Sequence, residues 1–216
     1  MKTGLILAGG SLNLEFAGRF LEGKDFYKII AVDGGLAALK ELCLVPDAIV
    51  GDFDTVDHEV LNQYRQEKEI LWDEHQPEKD ETDSELAIRT AVKLGCDSLV
   101  MLGATGGRMD HAIGNIHLLY SCLKQGIKGE IVDEKNRLYL IDSSQSFRAI
   151  SCYGKYISFL PLTEQVKGIT LRGFKYPLTK KDIEIGTSLC ISNELTGEVG
   201  TIEFDKGVLI CIESHD

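Results

Sequence analysis

The sequence lacks several features that would point at once to a class of function. None of its six cysteines forms a CxxC pair, which argues against a structural zinc site. No apolar run approaches the ~18–20 residues that a membrane-spanning helix needs, and the N-terminal run is too short for a signal peptide. No GxGxxG motif opens the first predicted helix, which argues against a nicotinamide-dependent dehydrogenase. We expect a globular protein with free thiols in the reducing cytoplasm, and no membrane partner.

Positive charge is also scarce. The 216 residues include 23 Lys and Arg against 34 Asp and Glu, a net charge of −11. Residues 1–135 carry 14 basic and 24 acidic side chains, so the acid excess belongs to this part of the chain. An acidic surface repels phosphate backbones, and we therefore expect no nucleic-acid partner. Clustered carboxylates can instead hold divalent cations, which in turn hold phosphates.

Strand and helix patterns alternate along the first part of the chain. Apolar runs bounded by Gly, Asp or Pro predict buried strands at 4–8, 29–32, 48–50, 69–72 and 98–103. Helices are predicted at 82–94, which starts with the capping box Thr82-x-x-Glu85, and at 111–125, with an apolar face of Ile113, Ile116, Tyr120 and Leu123. This alternation predicts an α/β domain over 1–135, with a doubly wound, mostly parallel sheet and helices on both faces.

The pattern changes after about residue 136. No long helical period follows, and Gly and Asp punctuate short apolar runs. Strands are predicted at 138–141, 155–160, 166–172, 188–191, 200–204 and 208–213. This spacing favours an all-β sandwich or small barrel over residues 136–216.

Unusual residues follow the predicted strands of the first domain, where parallel sheets bind ligands. The first strand ends in Gly9-Gly10, which favours either a tight turn or a close approach to a ligand. Asp33, in the sequence VDGG, ends the second strand as a helix cap or a ligand contact.

Acidic residues follow the third strand in PDAIVGDFDT. If the chain stays extended across Phe53, the carboxylates of Asp52 and Asp54 point the same way. Their mutual repulsion would be relieved by a divalent cation, whereas a solvated turn is the alternative. Seven of the thirteen residues at 73–85 are acidic as well, which suggests either a solvated loop or a second part of a cation site.

A glycine-rich turn follows the fifth strand in LGATGGRMDH. The backbone N–H groups of such a turn, at Gly106 and Gly107, can bind phosphate oxygens. Arg108 adds a planar, charged fork, and a helix is predicted to open at Asp110. Asp110 as a plain N-cap and His111 as an exposed first-turn residue are the alternatives. Carboxylates for Mg²⁺ beside a phosphate-binding turn indicate phosphoryl or nucleotidyl transfer.

Taken in order, VDGG, PDAIVGDFDT, EKDETD and TGGRMDH resemble the thiamine pyrophosphokinase family, as do GFKYPL (173–178) and ISNE (191–194). The resemblance covers nearly the whole chain. It implies an α/β domain that binds ATP and Mg²⁺, a β-sandwich that binds thiamine, and a homodimer. It also implies that ATP and thiamine are converted into AMP and thiamine diphosphate.

The resemblance assigns roles to individual residues. Metal and phosphate ligands are implied at Asp52, Asp54, Asp80, Thr82 and Asp83. Nucleotide contacts are implied at Gly107, Arg108, Asp110 and His111. Thiamine contacts are implied at Ser192 and Asn193.

Two other functions fit parts of the sequence. Asp52-x-Asp54-x-Val56 also matches the motif of haloacid-dehalogenase-type phosphatases, in which the first Asp is a nucleophile. A nucleotide- or thiamine-binding regulator without catalysis is the second alternative. An aromatic slot for thiamine would draw on Trp72 or on the Phe and Tyr residues of the β domain, although core packing is their commoner role.

Overall fold

Strands and helices alternate along the first structural unit, Met1–Glu134. The computed structural model describes residues 1–53, 56–67, 69–74 and 80–216, and a second unit spans Lys135–Asp216. The strands described in the first unit are β1 Thr3–Leu7, β2 Lys28–Val32, β3 Ala48–Gly51, β4 Leu71–Glu74, β5 Ser98–Leu102 and β6 Lys128–Val132. Five were predicted, although β4 begins two residues later than expected. β6 was missed because its first half, Lys128-Gly129-Glu130, breaks the apolar run.

The strands of this unit pair in parallel in the order β6-β5-β1-β2-β3-β4. The chain therefore starts in the middle of the sheet, builds outward to β4, and returns to the other side of β1 with β5. Connections leave β1 and β5 in opposite directions, which opens a crevice beyond their carboxyl ends. The side chains of β1 and β5 are almost entirely buried, as expected for strands covered on both faces.

The helices described in the first unit are α1 Leu14–Leu21, α2 Gly35–Glu41, α3 His58–Arg65, α4 Asp83–Lys93 and α5 Met109–Lys124. Polar side chains cap three of them. Asn13 accepts a hydrogen bond from Phe16 N–H at 3.1 Å, and Asp57 accepts one from Glu59 N–H at 2.7 Å. Thr82 Oγ1 accepts one from Glu85 N–H at 3.3 Å, so the predicted cap of α4 is confirmed. No described helix is both long and apolar enough to cross a membrane.

The helix predicted at 111–125 is present as α5, and Ile116, Tyr120 and Leu123 of its apolar face are half-buried, but its first residue and its fully buried stripe differ from the prediction. The helix buries the stripe of Asn115, Leu119 and Cys122, whereas Ile113 is 48% exposed. Leu119 and Cys122 pack against β6 at Gly129, where an added Cβ would meet Leu119 at 2.9 Å. This stripe is buried because it faces β6, a strand that the sequence pattern does not predict. α5 also begins at Met109, so Asp110 lies in its first turn instead of opening it.

The second unit consists of two antiparallel sheets with the strand orders β7-β14-β9-β12 and β8-β13-β10-β11. The strands are β7 Asn136–Ile141, β8 Gln145–Arg148, β9 Tyr156–Pro161, β10 Gln165–Arg172, β11 Leu178–Glu184, β12 Asn193–Glu194, β13 Val199–Glu203 and β14 Leu209–Ser214. Side chains of both sheets share one core, in which Phe147, Phe159 and Phe174 meet edge to face. This arrangement is the predicted sandwich.

One predicted strand of this unit, 188–191, is wrong. Its residues form a turn closed by a hydrogen bond from Ile191 N–H to Ser188 O at 3.2 Å. Cys190 is buried and its carbonyl accepts a hydrogen bond from Phe159 N–H. Only Cys190 of this stretch is buried, whereas Leu189 and Ile191 are 47% and 45% exposed, and strand pairing resumes only with β12.

Candidate active site

A cleft of about 540 Å³ lies beyond the carboxyl ends of β1 and β5, where the strand order reverses. Its walls come from the loops after β1, β2 and β5 and from the N-terminal ends of α4 and α5. Residues predicted from the sequence that line it are Gly9, Gly10, Asp33, Thr82, Asp83, Gly106, Gly107, Arg108 and His111. The fold thus gathers four separate sequence motifs around one cavity.

Glycines allow the loops after β1 and β5 to touch. Gly10 N–H donates a hydrogen bond to Gly103 O at 2.9 Å, and a Cβ on Gly10 would lie 2.4 Å from the same oxygen. A Cβ on Gly103 would lie 2.5 Å from Ala8 O. Any side chain at either position would push the loops apart. The close backbone approach expected at LILAGG is therefore made to the neighbouring loop.

Hydrogen bonds from outside fix the glycine-rich loop after β5. Ser11 N–H donates to Gly106 O at 3.1 Å. Asn115 Nδ2 donates to Ala104 O at 2.8 Å. Thr105 Oγ1 donates to Asp133 Oδ2 at 2.8 Å. A loop held at several points needs little reorganisation when it binds an anion.

Sequence reasoning missed two of these partners. The predicted apolar face of α5 does not include Asn115, which lies on the neighbouring stripe with Leu119 and Cys122; a polar residue in line with these two is the sequence signal for its role. Asp133 directly follows β6, so it lies at a strand end that was not predicted. Both residues belong to the same edge of the sheet as the predicted motifs.

Arg108 and Asp110 form an ion pair at the start of α5. Arg108 Nε and Nη2 lie 3.1 and 2.5 Å from the two carboxylate oxygens of Asp110. The hydrogen bond from Arg108 lowers the pKa of Asp110 to about 2, and raises the pKa of Arg108. Both side chains are largely exposed, so the pair orients the guanidinium more than it stabilises the fold.

Asp33 is held in an unusual environment at the end of β2. Its backbone is left-handed, with φ of 42°, which is a strained conformation for a residue with a side chain. Burial raises the pKa of its carboxyl to about 7, and the negative charges of Asp83 and Asp52 add to this effect. Asp33 Oδ1 is buried without a hydrogen-bond partner among the described residues. Gly51 makes room for it, since a Cβ there would lie 1.8 Å from Oδ1.

These carboxylates suit a divalent cation. Asp33, Asp52 and Asp83 come from three different segments and interact electrostatically, and one buried oxygen lacks a donor. Like charges in a partly buried cleft repel, and a hard cation with oxygen ligands removes that cost. The described residues alone include no complete metal-ligating cluster. Asp54, another predicted ligand, lies outside the described residues.

The chain does not stay extended after Asp52, so this premise of the sequence analysis is wrong. Phe53 is left-handed, with φ of 59°. Its buried ring packs edge-on against Trp72 at a centroid distance of 5.5 Å. Burial of the Phe53 ring therefore accounts for the turn of the backbone here. The side chains of Asp52 and Phe53 do not alternate as they would along an extended strand. The contact with Phe53 also gives Trp72 a packing role in the first unit.

The acidic segment at 73–85 contributes through the start of α4. Thr82 caps this helix, Asp83 occupies its first turn, and both line the cleft. Asp80 is exposed and is not among the residues that line the cleft. Residues 75–79 lie outside the described part of the chain. The ligand roles of Asp80 and Asp83 stay predictions.

Ser192 and Asn193 lie in the second unit, where β12 begins. Asn193 is 2% exposed, and its Oδ1 accepts hydrogen bonds from the backbone N–H groups of Tyr176 and Glu194, both at 3.0 Å. Its Nδ2 donates to Tyr176 O at 2.9 Å. Asn193 thus fixes the backbone of Tyr176, whose side chain is 56% exposed. Ser192 is exposed, and the thiamine contacts of both residues stay predictions.

Comparisons with known proteins agree with this architecture. Residues 22–131 match the family described as thiamin pyrophosphokinase, catalytic domain, and residues 139–209 match thiamin pyrophosphokinase, vitamin B1 binding domain. The chain is 38% identical to thiamine pyrophosphokinase of Bacillus subtilis over 218 residues, which covers all of both chains. The crystal structure of that species' enzyme covers 100% of both chains with a TM-score of 0.87. Thiamin pyrophosphokinase of Geobacillus thermodenitrificans, 36% identical, covers 99% of this chain and 98% of its own with a TM-score of 0.85. The chain belongs to the thiamine pyrophosphokinase family of enzymes.

Proposed function

We propose that this enzyme transfers the pyrophosphoryl group of ATP to the primary hydroxyl of thiamine, giving thiamine diphosphate and AMP. The observation that carries this proposal is the shared cleft, in which a glycine-rich loop with Arg108 faces the carboxylates of Asp33 and Asp83. One side suits phosphate oxygens, and the other suits the cation that accompanies them.

The glycine-rich loop binds the phosphates of ATP. Gly106 and Gly107 present backbone N–H groups, and Arg108 presents its guanidinium to the same cavity. These groups neutralise charge on the transferred group while the hydroxyl oxygen of thiamine attacks the β-phosphorus in line. The bond between the β-phosphorus and the bridging α–β oxygen breaks, and AMP leaves. The hydroxyl proton passes to a carboxylate of the cleft.

Mg²⁺ is the proposed metal ion. Asp33, Asp52 and Asp83 would hold it, with Asp54 and Asp80 as the further ligands implied by the sequence. When bound, the ion would supply positive charge to the phosphate oxygens. The unpartnered oxygen of Asp33 is the support for this assignment that does not depend on family resemblance.

The second unit is the proposed thiamine-binding unit. Ser192 and Asn193 are retained as its binding residues, and Tyr176 presents an exposed ring whose backbone Asn193 holds in place. An aromatic face suits the flat, cationic rings of thiamine. The net charge of −11 also favours encounter with a cationic substrate.

We further propose a homodimer in the cytoplasm. The family resemblance supports the dimer, and the absence of disulfides among the six cysteines, which are all free, supports a reducing compartment. Sedimentation equilibrium distinguishes a monomer of 23.9 kDa from a particle of twice that mass. A particle of monomer mass at micromolar concentration would remove the dimer from the proposal.

A direct assay tests the reaction. The purified protein is incubated with ATP, MgCl₂ and thiamine, and AMP and thiamine diphosphate are quantified by chromatography. Equal amounts of the two products are expected, and neither without thiamine. Release of inorganic phosphate from phosphate monoesters, without AMP, would support the phosphatase alternative. Tight binding of ATP or thiamine without formation of AMP would support a regulator.

A further inference from the structure

Two side chains with no assigned role hold the glycine-rich loop from outside. We propose that Asn115 and Asp133 are positioning residues that fix residues 104–107 in the conformation that binds the phosphates of ATP. This proposal rests on the proposed function, because it assumes that the loop binds a nucleotide. Both residues act through the loop: Asn115 through a backbone carbonyl, Asp133 through a side-chain hydroxyl.

Asn115 carries the first half of the proposal. Its side chain is 7% exposed and lies on the buried stripe of α5, a position where an aliphatic residue would bury more apolar surface. A buried amide is costly unless it is hydrogen-bonded, and this one donates to Ala104 O at 2.8 Å. Because a trans peptide is planar, fixing Ala104 C=O also fixes the opposite direction of Thr105 N–H.

Asp133 carries the second half. Its Oδ2 accepts a hydrogen bond from Thr105 Oγ1 at 2.8 Å. A carboxylate close to a phosphate-binding loop raises the electrostatic cost of binding an anion, so its charge alone does not favour ATP. Its contribution is geometric, since it fixes the side chain of Thr105 and with it the centre of the loop. Asn115 and Asp133 therefore restrain two neighbouring residues from different elements.

The restrained peptides leave donors available. Within the described part of the chain, the N–H groups of Thr105 and Gly107 donate to no protein acceptor. Gly106 O accepts a hydrogen bond from Ser11 N–H. Because the peptide between Gly106 and Gly107 is planar, this bond also fixes the direction of Gly107 N–H. The loop thus combines fixed carbonyls with uncommitted N–H groups, as expected for a preorganised anion site.

The test uses two pairs of variants, and in each pair one change removes a hydrogen-bond donor and the other keeps it. Asn115→Leu removes the donor to Ala104 O but keeps the shape of the side chain, whereas Asn115→Gln keeps an amide and serves as its partial rescue. Thr105→Val removes the donor to Asp133, whereas Thr105→Ser keeps it.

Binding of a non-hydrolysable ATP analogue with Mg²⁺ is measured by calorimetry, together with KM for ATP, KM for thiamine, and the melting temperature. Asn115→Leu and Thr105→Val are each expected to weaken analogue binding about tenfold, the equivalent of ~1.4 kcal/mol for one orienting hydrogen bond. KM for ATP should rise by a similar factor while KM for thiamine stays unchanged. Thr105→Ser should restore parental values.

Analogue affinity equal to that of the parent protein in both Asn115→Leu and Thr105→Val would overturn the proposal. A parallel rise in both KM values, with no recovery in Thr105→Ser, would also overturn it, because general destabilisation would explain that pattern. If Asn115→Leu does not fold, the comparison of Thr105→Val with Thr105→Ser still tests the proposal. Analogue binding is measured without turnover, so failure to form thiamine diphosphate would refute the proposed reaction but not this assignment.

Discussion

Asp110 accepts hydrogen bonds from both Nε and Nη2 of Arg108, so the guanidinium beside the glycine-rich loop is already oriented before any substrate binds. Arg108→Lys should therefore lower kcat/KM for ATP by about 100-fold, since an ammonium group cannot reproduce the planar fork. The melting temperature should change little, because the pair is exposed. Steady-state kinetics and thermal denaturation check both points. Activity near that of the parent protein would show that only the charge of Arg108 is needed.

Asp33 makes the stability of the metal-free protein depend on pH. Its pKa of about 7 in the folded protein exceeds the ordinary value of 3.8, so the folded state retains a proton that the unfolded state has lost. The contribution of Asp33 to the free energy of unfolding is therefore greatest at low pH, and it is lost as the pH rises through 7. Asp33→Asn should remove this slope and melt at a higher temperature than the parent at pH 8 in EDTA.

The control for this prediction is the comparison at pH 5, where the difference between the two melting temperatures should be clearly smaller than at pH 8, because only part of the range between 3.8 and 7 has been crossed. A difference in melting temperature that is the same at pH 5 and pH 8 would assign the effect to something other than the charge of Asp33.

Gly51 is required by the position of Asp33. Because an added Cβ would lie 1.8 Å from Asp33 Oδ1, Gly51→Ala should displace this carboxylate. We expect a loss of ~1–3 kcal/mol in the free energy of unfolding, as for other overpacked sites, together with a large loss of turnover. Urea denaturation and the product assay measure the two effects. Gly197→Ala is the matched control, since a Cβ there meets nothing within 4 Å.

Asp52 is expected to matter for metal binding more than for folding. Asp52→Asn should lower turnover by about 100-fold or more, because the transferred group loses charge stabilisation. The parent protein should melt at a higher temperature as MgCl₂ is added, and this shift should shrink in the variant. Turnover close to that of the parent would remove Asp52 from the mechanism. A full Mg²⁺-dependent shift would remove it from the metal site.

Asn193 offers a test in the second unit. Asn193→Asp removes the donor to Tyr176 O and buries a charge, so we expect the free energy of unfolding to fall by ~2 kcal/mol or more. KM for thiamine should rise while KM for ATP stays constant. Ser192→Ala, which changes an exposed neighbour, should leave stability unchanged. A variant with unchanged stability and unchanged KM for thiamine would show that the link between Asn193 and Tyr176 is dispensable.

Much of the first unit could be predicted because its central strands are apolar runs bounded by turn residues, and because Thr82 and Glu85 mark the start of α4. The strand β6 escaped because Lys128, Gly129 and Glu130 open it. That single omission also hid the true face of α5 and the position of Asp133. The missing strand in the predicted sheet therefore also left two residues of the site unpredicted.

The course of the chain at Asp52 shows a different limit. Local periodicity treats Phe53 as one more strand residue, whereas the ring packs against Trp72 and turns the backbone into the left-handed region. Likewise, the residues around Cys190 predict a strand, although they form a turn in which Cys190 is buried while Leu189 and Ile191 are exposed. In both cases tertiary packing determines the backbone conformation. A single sequence does not reveal which aromatic ring or thiol will be buried against other residues.

The contact between Gly10 and Gly103 has a consequence for how the protein is made. The loop after β1 leaves the ribosome before the loop after β5, so the acceptor of Gly10 N–H, which is Gly103 O, is synthesised much later than its donor. Fragments that end before α5 therefore lack the complete cleft even where β1 to β4 have formed. The cleft is therefore complete only late in synthesis, once the chain has reached Asn115 and the loop after β5 can pack against the loop after β1.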